Sequence, residues 1–282
     1  MRTSEGEAFL AGGYRVHTRR WLPDGEPAAI AVLLHGLAEH SGRYETLAAR
    51  LVARGYAVHS YDQRGHGRTG GVRSNIGRFN DLVADAAACI EHARAEHPAR
   101  PVLLLGHSMG GAVALATALA HPALIDRLVL SAPAVGADPA VPRLQLLVGR
   151  LLSRIAPSVG ILRLDAALVS RDPDVVRAYE TDPLVFRGSP PARTLVELLG
   201  AMKRLHDDAP ALRMPVLVLH GTDDRLVPLA FTEPVYARLG SPDRTVIRYE
   251  GFYHEVFNEP GRERVFADLE AWLDRRMASA PG

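Results

Sequence analysis

Short apolar runs that alternate with helical patterns are the feature that most restricts how this chain can fold. The runs AIAVLLHG (29–36), PVLLLGHS (101–108) and PVLVLHG (215–221) are almost continuously apolar, as strands buried on both faces of a parallel sheet are. A further run, YRVHTRRW (14–21), alternates in the manner of a half-exposed edge strand. The pattern predicts right-handed βαβ units and an α/β fold, with a mostly parallel central sheet flanked by helices.

Apolar residues recur with a helical period between these runs. The clearest patterns predict helices over 45–55, 79–93 and 262–277. The last of them places five large apolar residues on one face: Val265, Phe266, Leu269, Trp272 and Leu273.

The alternation of strands and helices stops from about 137 to 213. This segment has helical patterns and turns rich in Asp and Pro, but no convincing strand. One of its patterns carries an apolar stripe: Leu144, Leu147, Val148, Leu151 and Ile155. We therefore predict a core formed by 1–136 and 214–282, with 137–213 as a helical insertion over one end of the sheet.

The composition narrows the class of protein. The 282 residues suit one α/β domain with an insertion, and the 47% of apolar residues can form a large core. The net charge of +1 argues against nucleic-acid binding, and the single cysteine, Cys89, excludes an internal disulfide or a cysteine zinc cluster. The N-terminus does not resemble a signal peptide, and no run reaches the roughly 20 apolar residues of a membrane span. We therefore expect a soluble, cytoplasmic protein.

The stretch LLLGHSMGGAVALA places a serine between two glycines where a strand becomes a helix. Gly106-x-Ser108-x-Gly110 fits the nucleophile elbow, a sharp turn that holds a serine in a strained conformation. The plainer alternative is that the glycines make a turn and the serine caps a helix. Because a serine hydroxyl alone is a poor nucleophile, the choice depends on a base and an orienting acid downstream.

The candidate base is His254, in EGFYHEVFNEP. It follows the run TVIRYEG and precedes the last helix, so it opens onto the carboxyl edge of the sheet, as the elbow does. His206, within the insertion, and His220, inside a strand pattern, are weaker rivals. The order serine, acid, histidine is the one expected for this kind of elbow.

The acid is expected on the loop after the penultimate strand. PVLVLHGTDDRLVP has two candidates there, Asp223 and Asp224. They differ in their spacing from Gly221, which is the criterion for selecting one of them. We favour Asp224.

An oxyanion hole needs two backbone N–H groups. One comes from the residue after the nucleophile, Met109, and the other from the loop after an early strand, where Leu37 is the expected donor. His35 precedes that loop and is expected to be structural.

Four motifs taken together resemble the monoacylglycerol lipase family of α/β hydrolases. They are HGLAEHSGRY (35–44), YDQRGHGRTGG (61–71), GHSMGG (106–111) and HGTDDRLVP (220–228). The resemblance covers nearly the whole chain and implies the α/β-hydrolase fold. It also implies a triad and two oxyanion donors, and it selects the second aspartate because the family's acid stands three positions after the glycine. The implied residues are Ser108, Asp224, His254, Leu37 and Met109.

The resemblance extends to the substrate pocket. Arg43 matches an arginine near the polar end of the family's pocket, and Tyr179 matches a tyrosine of the cap. In the vertebrate enzyme a histidine stands three positions after the catalytic one. Phe257 stands there in this chain, so a role for that histidine in glycerol recognition is not inherited. The family's insertion is a cap that touches membranes and frames an acyl tunnel, and LQLLVGRLLSRI (144–155) suits that role or ordinary packing of the cap.

The activity implied is hydrolysis of monoacylglycerols to fatty acid and glycerol through an acyl-enzyme. Neither a cofactor nor a metal is required. A carboxylesterase or lysophospholipase would use the same triad, and a non-catalytic ligand receptor is the alternative from another class. Expected partners are a monoacylglycerol or similar small lipid ester, without nucleic acid. Peripheral membrane contact through the cap and the oligomeric state are left open.

Overall fold

Strands and helices alternate along most of the chain. The computed structural model describes residues 1–137, 155, 160 and 165–277. The strands are β1 (Arg2–Phe9), β2 (Arg15–Leu22), β3 (Ala29–Leu34), β4 (Tyr56–Tyr61), β5 (Val102–His107), β6 (Arg127–Ser131), β7 (Val216–Gly221) and β8 (Arg244–Tyr249). The α-helices in these described residues are α1 (Glu45–Ala53), α2 (Phe79–Glu96), α3 (Met109–Ala120), α4 (Pro173–Thr181), α5 (Ala192–Asp208), α6 (Leu229–Arg238) and α7 (Arg262–Met277).

The strands form one sheet in the order β1-β2-β4-β3-β5-β6-β7-β8. From β4 to β8 all neighbouring strands are parallel, whereas β2 is antiparallel to both of its neighbours, β1 and β4. The residues of β3, β4, β5, β6 and β7 are buried throughout, as the continuous apolar runs predicted for β3, β5 and β7. The predicted α/β class, with a mostly parallel sheet, is confirmed.

Helices cover both faces of the sheet and create two apolar cores. Helices α1 and α7 pack on one face, and α2, α3, α5 and α6 pack on the other. The five apolar residues predicted to share one face of α7 are all at most 1% exposed. The 3.6-residue period therefore identified the buried faces correctly.

The edge strand differs from the prediction. β2 was expected at the edge, but it lies between β1 and β4, and Trp21 on β2 is fully buried. β1 forms the edge and pairs with β2 from Arg2↔Leu22 to Phe9↔Arg15. None of its eight residues is buried and six are exposed, so β1 lacks the alternation of buried and exposed residues that marks a strand; backbone hydrogen bonds rather than burial hold it. No periodic signal in the sequence marks such a strand.

The segment between β6 and β7 contributes α4 and α5 and no strand among its described residues. Of the apolar stripe predicted there, Leu144, Leu147, Val148 and Leu151 lie outside the described residues. Ile155, which is described, is 70% exposed. Within the described part of the chain, no helix has the length and apolar character required to cross a bilayer.

Candidate active site

Ser108 makes the turn between β5 and α3. Its backbone angles, φ 52° and ψ −118°, lie in a region that residues with a side chain rarely adopt. The Ser108 N–H donates to the Ser131 carbonyl at 3.0 Å, and two backbone N–H groups further along the chain donate to the Ser108 carbonyl. These bonds hold a strained turn at the carboxyl edge of the sheet, which is the geometry of a nucleophile elbow.

The two glycines of the elbow allow backbones to approach closely. A Cβ on Gly106 would lie 2.1 Å from the carbonyl oxygen of Gly110. A Cβ on Gly110 would lie 2.2 Å from the Leu34 oxygen and 2.5 Å from the His35 oxygen. Any side chain at either position would push α3 away from β5 or β3, so the glycines maintain the position of the serine.

The carboxylate of Asp224 lies at the same edge, on the loop after β7. Its Oδ1 accepts from the Leu226 and Val227 N–H groups at 2.9 and 2.8 Å, and its Oδ2 lies 2.7 Å from Nδ1 of His254. Asp223, the other carboxylate on the loop, is exposed. The structure therefore brings Asp224, and not its neighbour, into contact with the histidine.

Charge and hydrogen bonding set the protonation of this pair. Burial opposes a charged imidazole, but the negative Asp224 and its hydrogen bond outweigh it and raise the pKa of His254 above its ordinary value. Burial likewise opposes the Asp224 carboxylate, while the nearby His254 and hydrogen bonds from both His254 and His220 hold the pKa of Asp224 below its usual range. An ionised carboxylate accepts only, so Nδ1 of His254 carries the proton and Nε2 is free to accept one.

The histidine before the elbow contacts the candidate base. The rings of His107 and His254 have centroids 4.6 Å apart and are tilted by 53°. His107 Nδ1 lies 3.1 Å from the Ser131 carbonyl oxygen, which anchors the ring to β6. Burial, together with the nearby His254, lowers the pKa of His107 to about 4, so this neighbour is uncharged at neutral pH. The elbow and the loop that carries the base therefore pack against each other.

His220, predicted only as a weaker candidate for the base, contacts the carboxylate of Asp224. Its ring is fully buried, and its Nε2 is 2.9 Å from the Val227 oxygen and 3.2 Å from Oδ2 of Asp224. Its Nδ1 is 2.7 Å from the Tyr236 hydroxyl. These partners place a proton on Nε2, shared between a carbonyl and the carboxylate, so His220 supports the same Asp224 oxygen that contacts His254.

The second rival base, His206, is half-exposed on α5, and its Nδ1 pairs with the neighbouring Asp207 at 3.3 Å. It takes no part in the contacts described above.

The predicted oxyanion donors lie on the loop after β3 and at the start of α3. Met109 is the first residue of α3, where a helix N–H group has no acceptor within the helix. Neither the Leu37 N–H nor the Met109 N–H makes a backbone hydrogen bond within the described residues. The loop and the elbow touch, because a Cβ on Gly36 would lie 3.3 Å from Cβ of Ser108.

His35 forms structural hydrogen bonds, as expected, and so does the motif YDQRGHG (61–67). His35 Nδ1 donates to the Gly36 carbonyl at 2.7 Å and its Nε2 accepts from the Gln63 N–H at 2.8 Å, so both ring nitrogens are engaged. Asp62 accepts three hydrogen bonds, and Arg64 forms a bidentate pair with a carboxylate on α2. These contacts fix the loops after β3 and β4 to one another.

Arg43 is clamped between two buried carboxylates. Its Nη1 donates to Glu39 at 2.7 Å and to Glu255 at 2.6 Å, and its Nη2 donates to Glu255 at 2.8 Å. Burial alone would lower the pKa of Arg43, but Glu255 and Glu39 raise it well above its ordinary value. The ring of Tyr179 lies 4.7 Å from the guanidinium carbon. The structure thus brings together the two residues predicted to bind substrate.

The two carboxylates also connect the loop after β3 with the loop that carries His254. Glu39 Oε1 accepts from the Gly36 N–H at 2.5 Å, next to Leu37, the predicted oxyanion donor, and Glu255 follows His254 directly. The Arg43 bridge therefore joins these two loops. The sequence reasoning missed both carboxylates and the support from His220. The four-residue spacing of Glu39 and Arg43 was an available signal, but the sequence separation of 212 between Arg43 and Glu255 offered none.

The described part of the insertion contacts both loops. Asp182 Oδ2 lies 2.8 Å from Nε2 of His40, and the Phe186 N–H donates to the Ala38 carbonyl at 2.8 Å. A further backbone bond of 2.8 Å joins the N–H of the residue after His254 to the insertion. The described part of this segment is therefore attached to the loop after β3 and to the loop that carries His254.

Comparison with known proteins places the chain among serine hydrolases. The sequence family described as serine aminopeptidase, S33, matches residues 25–261. A monoacylglycerol lipase of Mycolicibacterium smegmatis is 41% identical over 270 residues, covering 96% of each chain. Monoglyceride lipase of Homo sapiens is 34% identical over 273 residues, covering 96% of this chain and 90% of the human one.

A crystal structure of another protein named monoacylglycerol lipase has a similar fold. The crystal structure of Paleococcus ferrophilus monoacylglycerol lipase superposes with a TM-score of 0.82 at 31% identity. The match covers 92% of this chain and 98% of the other.

Proposed function

The chain belongs to the serine hydrolase family described as serine aminopeptidase, S33, and we propose that it cleaves monoacylglycerols to fatty acid and glycerol. The observation that carries the chemistry is the 2.7 Å contact of Asp224 with His254, beside the strained elbow of Ser108. The substrate class is supported by relatives named monoacylglycerol or monoglyceride lipase that match over nearly the whole chain.

In the first half of the reaction Ser108 attacks the ester carbonyl. Nε2 of His254 takes the hydroxyl proton, and Asp224 keeps Nδ1 protonated and stabilises the imidazolium that forms. The negative charge that develops on the carbonyl oxygen is met by the N–H groups of Leu37 and Met109. One such donor is typically worth about 3 kcal/mol of transition-state stabilisation.

Collapse of the tetrahedral intermediate breaks the ester bond to glycerol. The imidazolium of His254 returns its proton to the glycerol oxygen, which leaves as an alcohol, and the acyl group stays on Ser108. Water then attacks the acyl-enzyme and gives its proton to His254, and the fatty acid leaves as the serine regains its hydrogen. The cycle consumes one water and requires no cofactor.

The segment 137–213 is proposed to act as the cap that holds the acyl chain. The hydrogen bonds from its described residues to the loop after β3 and to the loop that carries His254 support this role, since they keep that part of the segment next to the site. Arg43 and Tyr179 are proposed to define the polar end of the pocket. This proposal is supported by the contact of Arg43 with Glu255, which directly follows His254 in the chain, and by the position of the Tyr179 ring against the Arg43 guanidinium.

The nucleophile is tested with Ser108→Ala. This variant should lose ester hydrolysis by several orders of magnitude and lose labelling by a fluorophosphonate, while its melting temperature stays near that of the wild type. Retained activity or labelling would refute the assignment of Ser108.

The substrate class is tested separately. Rates should be measured on monoacylglycerols and on methyl esters with the same acyl chains. We expect a higher kcat/KM for the glycerol esters, because only they occupy the polar end of the pocket. Equal rates would refute the monoacylglycerol assignment and indicate a carboxylesterase of broader specificity.

A further inference from the structure

A second cluster of chemically active side chains lies away from the elbow. A ring nitrogen from each of His59 and His97 and a carboxylate oxygen of Glu96 all lie within 4.8 Å of one another. His59 is on β4, and the other two residues are at the end of α2. Helix α2 returns the chain from the carboxyl end of β4 toward the start of β5, so its last residues lie toward the edge of the sheet opposite the catalytic serine.

Strand register explains how the cluster forms. His59 pairs with Val32 on β3 and with Arg20 on β2, and residues that pair across strands share one face of the sheet. Val32 belongs to the core on the side covered by α2. His59 therefore points toward α2, where it meets His97 with ring centroids 5.6 Å apart and an angle of 66° between the ring planes.

The two imidazoles have unused nitrogens. Nε2 of His59 and Nε2 of His97 are both buried and have no hydrogen-bond partner in the part of the chain that the structure describes. His59 as a residue is only 6% exposed. A buried polar atom without a partner is unfavourable, so two such atoms on neighbouring rings indicate an occupant that accepts lone pairs.

We propose that His59, Glu96 and His97 bind a divalent transition-metal ion of the zinc type, with water as the fourth ligand. Two imidazole nitrogens and one carboxylate oxygen are a donor set that Zn²⁺ favours, whereas Ca²⁺ and Mg²⁺ prefer oxygen ligands alone. Ligands at bonds of about 2.1 Å in a tetrahedron lie about 3.4 Å apart, so atoms now within 4.8 Å close on an ion by modest side-chain rotation.

Glu96 is suited to be the third ligand because its carboxylate is partly exposed and can still bind an ion. Its side chain is 44% exposed, and both its oxygens lie 3.0–3.1 Å from a single nitrogen of Arg20. One oxygen can turn to the ion while the other keeps Arg20, so that Arg20 orients the ligand from outside. The bound ion would join the end of α2 to the centre of β4, and it would stabilise the fold without taking part in catalysis.

Titration calorimetry of the untagged, chelator-treated protein with ZnCl₂ tests the proposal. We expect one Zn²⁺ per chain at this site and no saturable binding of MgCl₂ there. At a free zinc concentration about one hundred times Kd, the melting temperature should rise by roughly 5–10 °C.

Substitutions show whether zinc binds at this site or at other histidines of the protein, including those of the active site. His97→Ala should weaken zinc binding at least tenfold and abolish the rise in melting temperature, and Glu96→Gln should weaken binding by several fold. His92→Ala, an exposed histidine on the same helix, is the matched control and should bind as the wild type does. His97 is only partly buried, so its variant is expected to fold, which circular dichroism checks.

Binding that is absent in the wild type, or unchanged in His97→Ala, would overturn the proposal, and unchanged binding in Glu96→Gln would overturn the three-ligand set.

Discussion

Replacing Asp224 by asparagine should nearly abolish catalysis while preserving the fold. The four groups around the wild-type carboxylate are all donors: two loop N–H groups on Oδ1, and His254 and His220 on Oδ2. An asparagine amide has one oxygen and one NH₂ group. Whichever way it turns, the NH₂ group faces donors where the carboxylate offered an oxygen.

Each orientation of the amide has a distinct consequence. If the amide oxygen keeps the loop N–H groups, the NH₂ group faces His254 and forces Nδ1 to accept. The ring proton then sits on Nε2, which cannot take the proton of Ser108. If the amide turns over, its NH₂ group meets the loop N–H groups and disrupts the turn. We therefore expect kcat to fall roughly 1,000- to 10,000-fold, which is about 4–5.5 kcal/mol of lost transition-state stabilisation.

The pH dependence gives an independent readout. In the wild type, activity should fall as the pH drops through the pKa of His254, which Asp224 raises. In Asp224→Asn the raising charge is gone and burial remains, so the pKa of His254 drops. The acid limb of the residual activity should therefore move to lower pH.

The assay is kcat and KM for a chromogenic ester between pH 5 and 9, with melting temperatures for each variant. Asp223→Asn is the matched control, because that exposed aspartate lies on the same loop and should retain activity within about twofold. A loss of less than tenfold in Asp224→Asn, or an equal loss in Asp223→Asn, would refute the reasoning.

Two further predictions concern the support of the site. Gly110→Ala places a Cβ 2.2 Å from a β3 carbonyl and should lower the free energy of unfolding by about 3 kcal/mol, or the melting temperature by roughly 6–12 °C. Gly70→Ala meets nothing within 4 Å and should melt as the wild type does, so equal melting of both variants would contradict this account. His220→Leu, which removes the donor behind Asp224, should lower kcat about tenfold at unchanged KM, whereas His220→Gln should restore most of it by keeping a donor near Nε2. A change in KM alone, or no rescue by glutamine, would exclude the positioning role.

Local sequence patterns predicted most of the fold. The buried strands β3, β5 and β7 were predicted from their apolar runs, and the buried face of α7 followed from its period. The edge was predicted wrongly because β1 is held to β2 by backbone bonds and leaves most of its side chains in solvent. Backbone pairing of this kind leaves no trace in hydropathy.

The elbow and the order of serine, acid and histidine were determined by the sequence itself, because a Gly-x-Ser-x-Gly turn and the ends of parallel strands are local features. Tertiary structure alone decided which groups surround them. Arg43 meets Glu255 across 212 residues, and His59 meets His97 because a strand register and a helix end coincide. Such contacts depend on how helices and strands pack against one another in three dimensions. No local pattern in the sequence encodes that packing, because the contacting residues lie far apart along the chain.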